Sequence, residues 1–155
     1  GEVLPKEKLD LLEVAQSAAD DLRAEAEKKN VHLSVSGEPA ELEGVRQLIY
    51  EVAYNLGDNA IKYNVDGGSV SITVSSDGKN AKLTVSDTGI GIAAEDQSRI
   101  FERFYRVDKS HSKESGGTGL GLSIVKHAVQ YHGGRISMDS APGKGTSISV
   151  SLPIQ

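Results

Sequence analysis

The chain has 155 residues, of which 37% are hydrophobic and 25% charged, with no cysteine and a formal net charge of −5. This balance is typical of one globular domain and excludes a disordered chain, a disulfide scaffold and a cysteine-ligated metal site, while the acidic charge argues against nucleic-acid binding. No apolar run approaches the roughly 20 residues of a membrane-spanning helix, and the start of the chain has no signal-peptide pattern.

The first part of the chain alternates helical and extended patterns. Apolar residues recur at steps of three and four from Leu9 to Ala26, which predicts an amphipathic helix. Residues 31–36 alternate between apolar and polar and predict a strand. A second helix is predicted from Gly44 to Tyr63, and the glycines at 67–68 end that segment.

A hairpin and a glycine-rich stretch follow. The alternating runs 69–76 and 80–87 predict two strands, and the Asp-Gly pair in the loop 77–79 is a strong hairpin signal. The stretch 89–121 is rich in glycine and is interrupted by a short helical pattern around Glu95–Phe101.

The last part of the chain predicts a helix and a second hairpin. The helix is expected from Leu122 to His132, and strands 135–140 and 146–153 are expected around a turn at 142–145. The sequence therefore predicts one α+β domain over residues 1–155, a two-layer sandwich in which helices cover one face of a mixed, mostly antiparallel sheet.

Four polar residues lie on one face of the second predicted helix. The first is Asn55, and the others follow it by four, seven and eight residues: Asn59, Lys62 and Tyr63. Asparagine is a poor helix former, so the side chains of Asn55 and Asn59 need hydrogen-bond partners. They either bond neighbouring backbone or supply amide oxygens to Mg²⁺, which prefers oxygen ligands and shares its coordination with nucleotide phosphates.

Two glycine-rich motifs are candidate nucleotide loops. Residues 87–92, DTGIGI, follow a predicted strand, and residues 116–122, GGTGLGL, lead into a predicted helix whose first amides could bind phosphate. Either motif alone is a weak signal, because a tight turn or a mobile glycine loop can give the same pattern. The phosphate motifs GxxxxGK[ST] and GxGxxG are both absent, so any nucleotide is bound in another way.

Taken together and in order, five segments resemble the catalytic ATP-binding domain of bacterial sensor histidine kinases. NLGDNAIKYN (55–64), DTGIGI (87–92), FERFYRVD (101–108) and GGTGLGL (116–122) are similar to its N, G1, F and G2 boxes, and GKGTSISVSLP (143–153) resembles its closing strand. The likeness covers the chain from about residue 5 onward, and it is closest in character to phosphate-regulon-type sensor kinases.

The resemblance implies a fold and an activity. The fold is the Bergerat ATP-binding fold of the GHKL group. The activity is binding of Mg-ATP (with ADP as the product) and donation of the γ-phosphoryl group to a histidine on a separate dimerisation domain, which in turn serves a response regulator. No nucleic-acid or membrane contact is expected of this chain. Since the chain has no initiator methionine, we expect it to be a piece of a longer kinase. The resemblance implies a cytoplasmic location in a membrane-anchored parent. Because its histidines lack acceptor context, the piece should bind nucleotide without phosphorylating itself.

The resemblance also implies roles for the polar helix face and the first glycine loop. Asn55 and Asn59 would bind Mg²⁺ and Lys62 a phosphate, with Asn55, Lys62 and Arg106 as the catalytic set. Tyr63 would pack on the adenine. The remaining residues expected at the base are Asp87, which would accept from the adenine amino group, Thr146, which would support it through water, and Gly89, Gly91 and Ile92, which would border it.

A lid is implied between the F and G2 boxes. It would run from about Arg106 to Thr118, with Arg106 and Lys113 as phosphate-contacting cations, although related proteins often have arginine in place of Lys113. Phe101 and Phe104 would anchor it. The glycines and neighbouring residues expected to form its hinge or to contact the nucleotide are Gly116, Gly117, Thr118, Gly119, Leu120 and Gly121.

Some features depart from the family pattern or leave alternatives open. Gly57 interrupts the helix of the N box, and none of the four histidines, His32, His111, His127 and His132, has the sequence context of a phosphoacceptor. Gyrase B, MutL-type repair ATPases and large heat-shock chaperones share the fold but hydrolyse ATP with a glutamate where Asn55 stands. An anti-sigma-factor kinase, and a nucleotide-sensing or docking module without catalysis, remain as alternatives.

Overall fold

A computed structural model of the chain describes residues 4–102, 105 and 121–154. The helices and strands of these residues, in chain order, are β1 (Glu7–Asp10), α1 (Leu11–Lys28), β2 (His32–Gly37), β3 (Glu41–Gly44), α2 (Arg46–Lys62), β4 (Ser69–Ser76), β5 (Asn80–Asp87), α3 (Ala94–Gln97), α4 (Gly121–Tyr131), β6 (Arg135–Ser140) and β7 (Thr146–Pro153).

Five of the strands form one sheet in the order β2-β4-β5-β7-β6. Only β2 and β4 are parallel, and the other neighbours are antiparallel. Strands β1 and β3 form a separate antiparallel pair. Helices α1, α2 and α4 pack together over one face of the sheet, so the predicted α+β architecture is confirmed.

The two faces of the sheet differ in composition. The face under the helices carries buried aliphatic side chains, among them Val70, Ile72, Val74, Leu83, Val85, Val150 and Leu152. The opposite face carries serine and threonine, which pair across strands: the Thr84 and Ser149 hydroxyl oxygens are 2.9 Å apart, and those of Ser86 and Ser147 are 2.8 Å apart. This division is the source of the period-two pattern in the sequence.

Helix α1 begins two residues later than predicted. Leu9 and Asp10 belong to β1, where Leu9 pairs with Leu42 of β3. Asp10 then caps the helix, because its Oδ1 accepts from the Leu12 N–H at 3.0 Å and from the Ala40 N–H at 2.9 Å. The sequence did not indicate β1 and β3 because four residues are too few to show a period.

Helix α2 also begins later than predicted, since Gly44 pairs within β3. Its first turn has no capping side chain of its own; instead, the Val45 N–H donates to His132 Nε2 at 3.0 Å. Gly57 has a packing reason within the helix, because a Cβ there would lie 2.8 Å from Cδ1 of Leu22 on α1.

The remaining boundaries agree closely with the prediction. Strands β4, β5, β6 and β7 have the predicted residues, β2 is shifted by one residue, and α4 begins and ends one residue early. The short helix α3 ends at Gln97, and residues 98–101 form turns rather than its continuation. Among the described residues, no helix is both long and apolar enough to cross a membrane.

Candidate functional site

Asp87, the last residue of β5, forms the centre of a polar cluster at one end of the sheet. Its Oδ1 accepts from the Gly89 N–H at 2.8 Å and from the Thr146 N–H at 3.1 Å. Within the described part of the chain, Oδ2 has no hydrogen bond. Burial raises the pKa of this carboxyl group, and the two N–H donors oppose that shift. The site thus holds one carboxylate oxygen in place and leaves the other for a donor from outside.

A hydroxyl pair lies beside this carboxylate. Ser140 donates to the Gly145 carbonyl at 3.1 Å and accepts from the Ile92 N–H at 2.9 Å. Its oxygen is also 2.8 Å from the Thr146 hydroxyl oxygen. Ser140 has one hydroxyl proton, which can go to the Gly145 carbonyl or to Thr146, so either oxygen of the hydroxyl pair can be the donor.

We call Asp87, Thr146, Ser140 and Ile92 the Asp87 cluster. Ser140 was not singled out in the sequence because an isolated serine at the end of a strand has no distinguishing pattern. Gln97 of α3 supports the same cluster, since its Nε2 donates to the Ile92 carbonyl at 2.8 Å and to the Ser140 carbonyl at 3.0 Å.

The glycines of the DTGIGI loop fit against backbone. A Cβ on Gly89 would lie 2.5 Å from the Tyr63 carbonyl oxygen. Gly91 has φ +74°, and a Cβ there would overlap the Ala141 carbonyl. Glycine is therefore required for packing between protein segments. The role expected from the resemblance, room for a base, stays a prediction.

Asn64 and Thr88 join the end of α2 to this loop. Asn64 Nδ2 donates to the Ser69 carbonyl at 2.9 Å, and the Thr88 hydroxyl donates to Asn64 Oδ1 at 3.1 Å. The Ile90 N–H also donates to the Tyr63 carbonyl at 3.1 Å. The two segments that carry the predicted N and G1 boxes are thus held in a fixed relation. Tyr63 and Ile90 leave 36% and 51% of their surface exposed at this junction.

The α2 polar face is the second group of the site, and we define it as Asn55, Asp58, Asn59 and Lys62. Asn55 Nδ2 donates to the Glu51 carbonyl at 2.8 Å, which turns its Oδ1 away from its own helix backbone. No hydrogen bond to Asn55 Oδ1, or to the Asn59 side chain, occurs within residues 4–102, 105 and 121–154. Lys62 Nζ lies 2.9 Å from Asp58 Oδ2.

The start of α4 meets this face. A Cβ on Gly121 would lie 3.2 Å from Asn55 Oδ1, so the first residue of α4, which belongs to the second glycine motif, approaches the asparagine directly. The amides in the first turn of a helix are unpaired and attract anions. Gly121 and the α2 polar face are therefore brought together in the fold.

Several predicted site residues lie outside the described residues. These are Arg106, Lys113, Gly117, Thr118, Gly119 and Leu120 of the nucleotide set, and Phe104, Gly116 and His111. Phe101 packs, partly buried, against the core. Tyr105, which sequence reasoning did not select, donates its hydroxyl to the Asp96 carboxylate and so ties the F box to α3.

The described histidines differ in their surroundings. His32 is exposed at the start of β2, and His127 is exposed on α4. His132 follows α4, and its ring is engaged on both sides: Nδ1 donates to the Ala128 carbonyl at 2.7 Å, and Nε2 accepts from Val45. His132 therefore has a structural role.

This combination of sheet, polar helix face and carboxylate cluster is characteristic of one ATPase class. Residues 44–155 match the family described as histidine kinase-, DNA gyrase B-, and HSP90-like ATPase. Because the match covers more than half of the chain, the chain belongs to this family.

The individual relatives are sensor histidine kinases. The chain is 48% identical to the sensor-like histidine kinase SenX3 of Mycolicibacterium smegmatis, over 71% of this chain and 29% of that protein. It is 40% identical to the phosphate regulon sensor protein PhoR of Pseudomonas aeruginosa, over 86% of this chain and 30% of that protein. The chain thus spans less than a third of the length of these relatives.

A solved structure extends the comparison. Full-length ShkA in complex with AMPPNP matches with a TM-score of 0.85 and 26% identity, over 98% of this chain and 32% of that chain. The likeness includes the segments before residue 44, which the family match does not reach. The sequence-based identification of a sensor histidine kinase ATP-binding domain is confirmed.

Proposed function

We propose that the chain binds Mg-ATP and donates its γ-phosphoryl group to a histidine on a separate dimerisation domain, as the single ATP-binding domain of a longer two-component sensor kinase. The observation that carries this proposal is the Asp87 cluster. One carboxylate oxygen accepts two backbone N–H groups, and the other has no partner among the described residues. A carboxylate oxygen without a donor among these residues suits the exocyclic amine of adenine.

The α2 polar face is suited to Mg²⁺ and phosphate. Asn55 and Asn59 would hold the ion, because their amide oxygens are neutral, lie on one helix face and lack protein donors in the described part of the chain. Lys62 would contact a phosphate. When bound, the ion would neutralise phosphate charge during transfer.

The rest of the nucleotide is expected to meet residues outside the described ranges. Arg106 and Lys113 would supply further positive charge, and Gly117 and Gly119 would bring backbone amides to the phosphates. Gly121, which borders Asn55, supports this arrangement because it fixes where that segment enters α4.

Phosphoryl transfer is favoured over hydrolysis by the residue at position 55. An amide cannot remove a proton from water, whereas the hydrolytic relatives of this fold are expected to have glutamate there. In transfer, an attacking histidine nitrogen forms a bond to the γ-phosphorus. The bond from that phosphorus to the β–γ bridging oxygen breaks, and ADP leaves with the electron pair.

The acceptor histidine is proposed to lie on another domain. Both ring nitrogens of His132 are hydrogen-bonded within the fold, and His32 lies at a sheet edge away from α2. The acceptor domain would be the dimerisation helices of the parent kinase, which would pass the phosphoryl group to a response regulator. We place this domain in the cytoplasm, in a parent protein anchored in the membrane.

Transfer of label from γ-labelled ATP tests this function. The chain alone is expected to remain unlabelled, and a dimerisation domain from the parent kinase should acquire acid-labile, base-stable label when both are present. Acid-labile label on the chain alone would contradict the proposed acceptor. Nucleotide binding without labelling of the dimerisation domain would instead indicate a sensing or docking module, and release of inorganic phosphate at a comparable rate would indicate a hydrolase.

A further inference from the structure

The ion pair on the α2 polar face differs from the other ion pairs of the described residues. Lys62 and Asp58 expose only 21% and 19% of their side chains. The other three pairs, Arg23–Asp20, Arg46–Glu7 and Arg99–Glu102, have side chains that are 47% to 71% exposed. Charges shielded from water interact more strongly and are screened less by salt. The charges of the Asp58–Lys62 pair should therefore interact more strongly with a nearby charged ligand than the charges of the three exposed pairs would.

The pair lies among the candidate metal ligands. Asp58 is three residues after Asn55 and four before Lys62, and Asn59 is four after Asn55, so these residues lie along one side of α2. The contact with Asp58 draws the Lys62 ammonium back along the helix by one turn, toward the asparagines. A phosphate that reaches Lys62 must consequently come close to the Asp58 carboxylate.

The α2 polar face has no net charge in this arrangement. Two neutral amides, one carboxylate and one ammonium sum to zero. The nearest other acid on the helix, Glu51, is engaged with Gln47 at 3.4 Å, one turn before Asn55. In the part of the chain that the structure describes, a polyphosphate at this face thus meets a cation that is already neutralised.

We propose that Asp58 is a positioning residue that cancels the charge of Lys62 and thereby makes phosphate binding depend on Mg²⁺. The inference rests on the proposed function and deepens it. Metal-free ATP, with its full negative charge, meets a neutral face and an adjacent carboxylate. With Mg²⁺ present, the carboxylate is favourable to the ion and no longer opposes the phosphates.

Calorimetric titration of ATP, once with Mg²⁺ and once with EDTA, measures this dependence at low ionic strength. Asp58→Asn should bind metal-free ATP about three- to tenfold more tightly than the unmutated chain, because one negative charge near the phosphates is removed. The enhancement of affinity by Mg²⁺ should fall by a similar factor. Adenosine, which has no phosphate, should bind the variant with unchanged affinity, and added salt should reduce the difference for ATP.

Matched variants separate charge from structure. Asp58→Glu keeps the charge and should retain the Mg²⁺ dependence. Asp20→Asn removes the same charge from an exposed ion pair on α1 and should change nothing. Lys62→Met combined with Asp58→Asn restores a net charge of zero and should return metal-free affinity toward that of the unmutated chain.

The outcomes distinguish this inference from the proposed function. If Asp58→Asn weakens metal-free and Mg-bound ATP equally, or leaves the Mg²⁺ enhancement unchanged, Asp58 does not set the metal dependence. If the unmutated chain binds neither adenosine nor ATP, the proposed function itself fails. Asn59→Ala provides the reference for the metal ligands, since it should lose the Mg²⁺ enhancement while keeping affinity for adenosine.

Discussion

The Asp87 cluster and the α2 polar face are built in opposite ways. In the cluster, backbone N–H groups fix the Asp87 and Ser140 side chains, and the loop is packed so tightly that a Cβ on Gly91 would overlap backbone. On α2, the Asn55 oxygen and the Asn59 side chain have no partners within the described residues. One end of the site is set before a ligand arrives, whereas the other leaves polar groups for the ligand to complete.

The largest expected effect is a loss of stability in Gly91→Ala. Gly91 combines φ +74° with contact against Ala141, whereas Gly78 has φ +89° in the β4–β5 turn with nothing near its Cβ position. The left-handed conformation and the overlap together should lower the free energy of unfolding by roughly 2–5 kcal/mol in Gly91→Ala. Gly78→Ala should lose only about 1–2 kcal/mol.

Urea denaturation of the two glycine variants measures this difference. Equal losses of stability in the two variants would contradict this prediction and would mean that the loop can move away from Ala141. In that case the Asp87 cluster would not be held rigidly before a ligand binds, and it would not differ from the α2 polar face in this respect.

The next effect concerns adenine binding by Asp87. In Asp87→Asn, the free anionic oxygen becomes an amide that can present a donor to the adenine amine. The loss of a hydrogen bond to a charged group lowers affinity by about 1.5–3 kcal/mol, which is at least about tenfold. Titration with ATP should show this loss, and GTP should bind the unmutated chain poorly because it has a carbonyl in place of the amine. Equal affinities for ATP and GTP would exclude this contact.

The smallest expected effect is a gain in stability in Asp87→Asn. Burial raises the pKa of Asp87 in the folded chain. Its contribution to stability is therefore fully present below the pKa of the unfolded state and is lost as the pH rises through the folded-state pKa. Asp87→Asn, whose Oδ1 can still accept both N–H groups, should thus be more stable than the unmutated chain near neutral pH. The difference should shrink toward about pH 4, and a constant difference across this range would argue against a burial effect.

Much of the fold was predictable from period and turn chemistry alone. The strands β4, β5, β6 and β7 alternate over most of their length, because one face of the sheet is mainly aliphatic and the other is polar and rich in serine and threonine. The strands β1 and β3 were not predictable, since four residues show no period and Leu9 also fitted the helical spacing of α1. The start of α2 was misplaced for a related reason: Gly44 belongs to the short strand β3, and the Val45 N–H before the helix donates to His132, which is far away in the sequence.

The candidate site was predictable where its residues form motifs and unpredictable where single residues act through tertiary contacts. Asn55, Asn59 and Asp87 lie in recognisable segments. Ser140 and Gln97 do not, because a serine at a strand end or a glutamine on a short helix has no distinguishing pattern. Asp58 lies within the segment 55–64 but was not selected, because an aspartate four residues before a lysine occurs on many helices. Only the distances of these side chains from backbone groups and from Lys62 indicate their involvement.

The pairing of β5 with β7 has a consequence for chain length. The two strands are neighbours in the sheet, with Asp87 opposite Thr146, although the whole of residues 88–145 lies between them in sequence. The entropy of closing such a loop rises only by about 0.6 kcal/mol for each doubling of its length. Within this interval, β6 pairs with β7 and α4 packs on α2, so only insertions outside these elements and outside the Asp87 cluster should have little effect on the sheet.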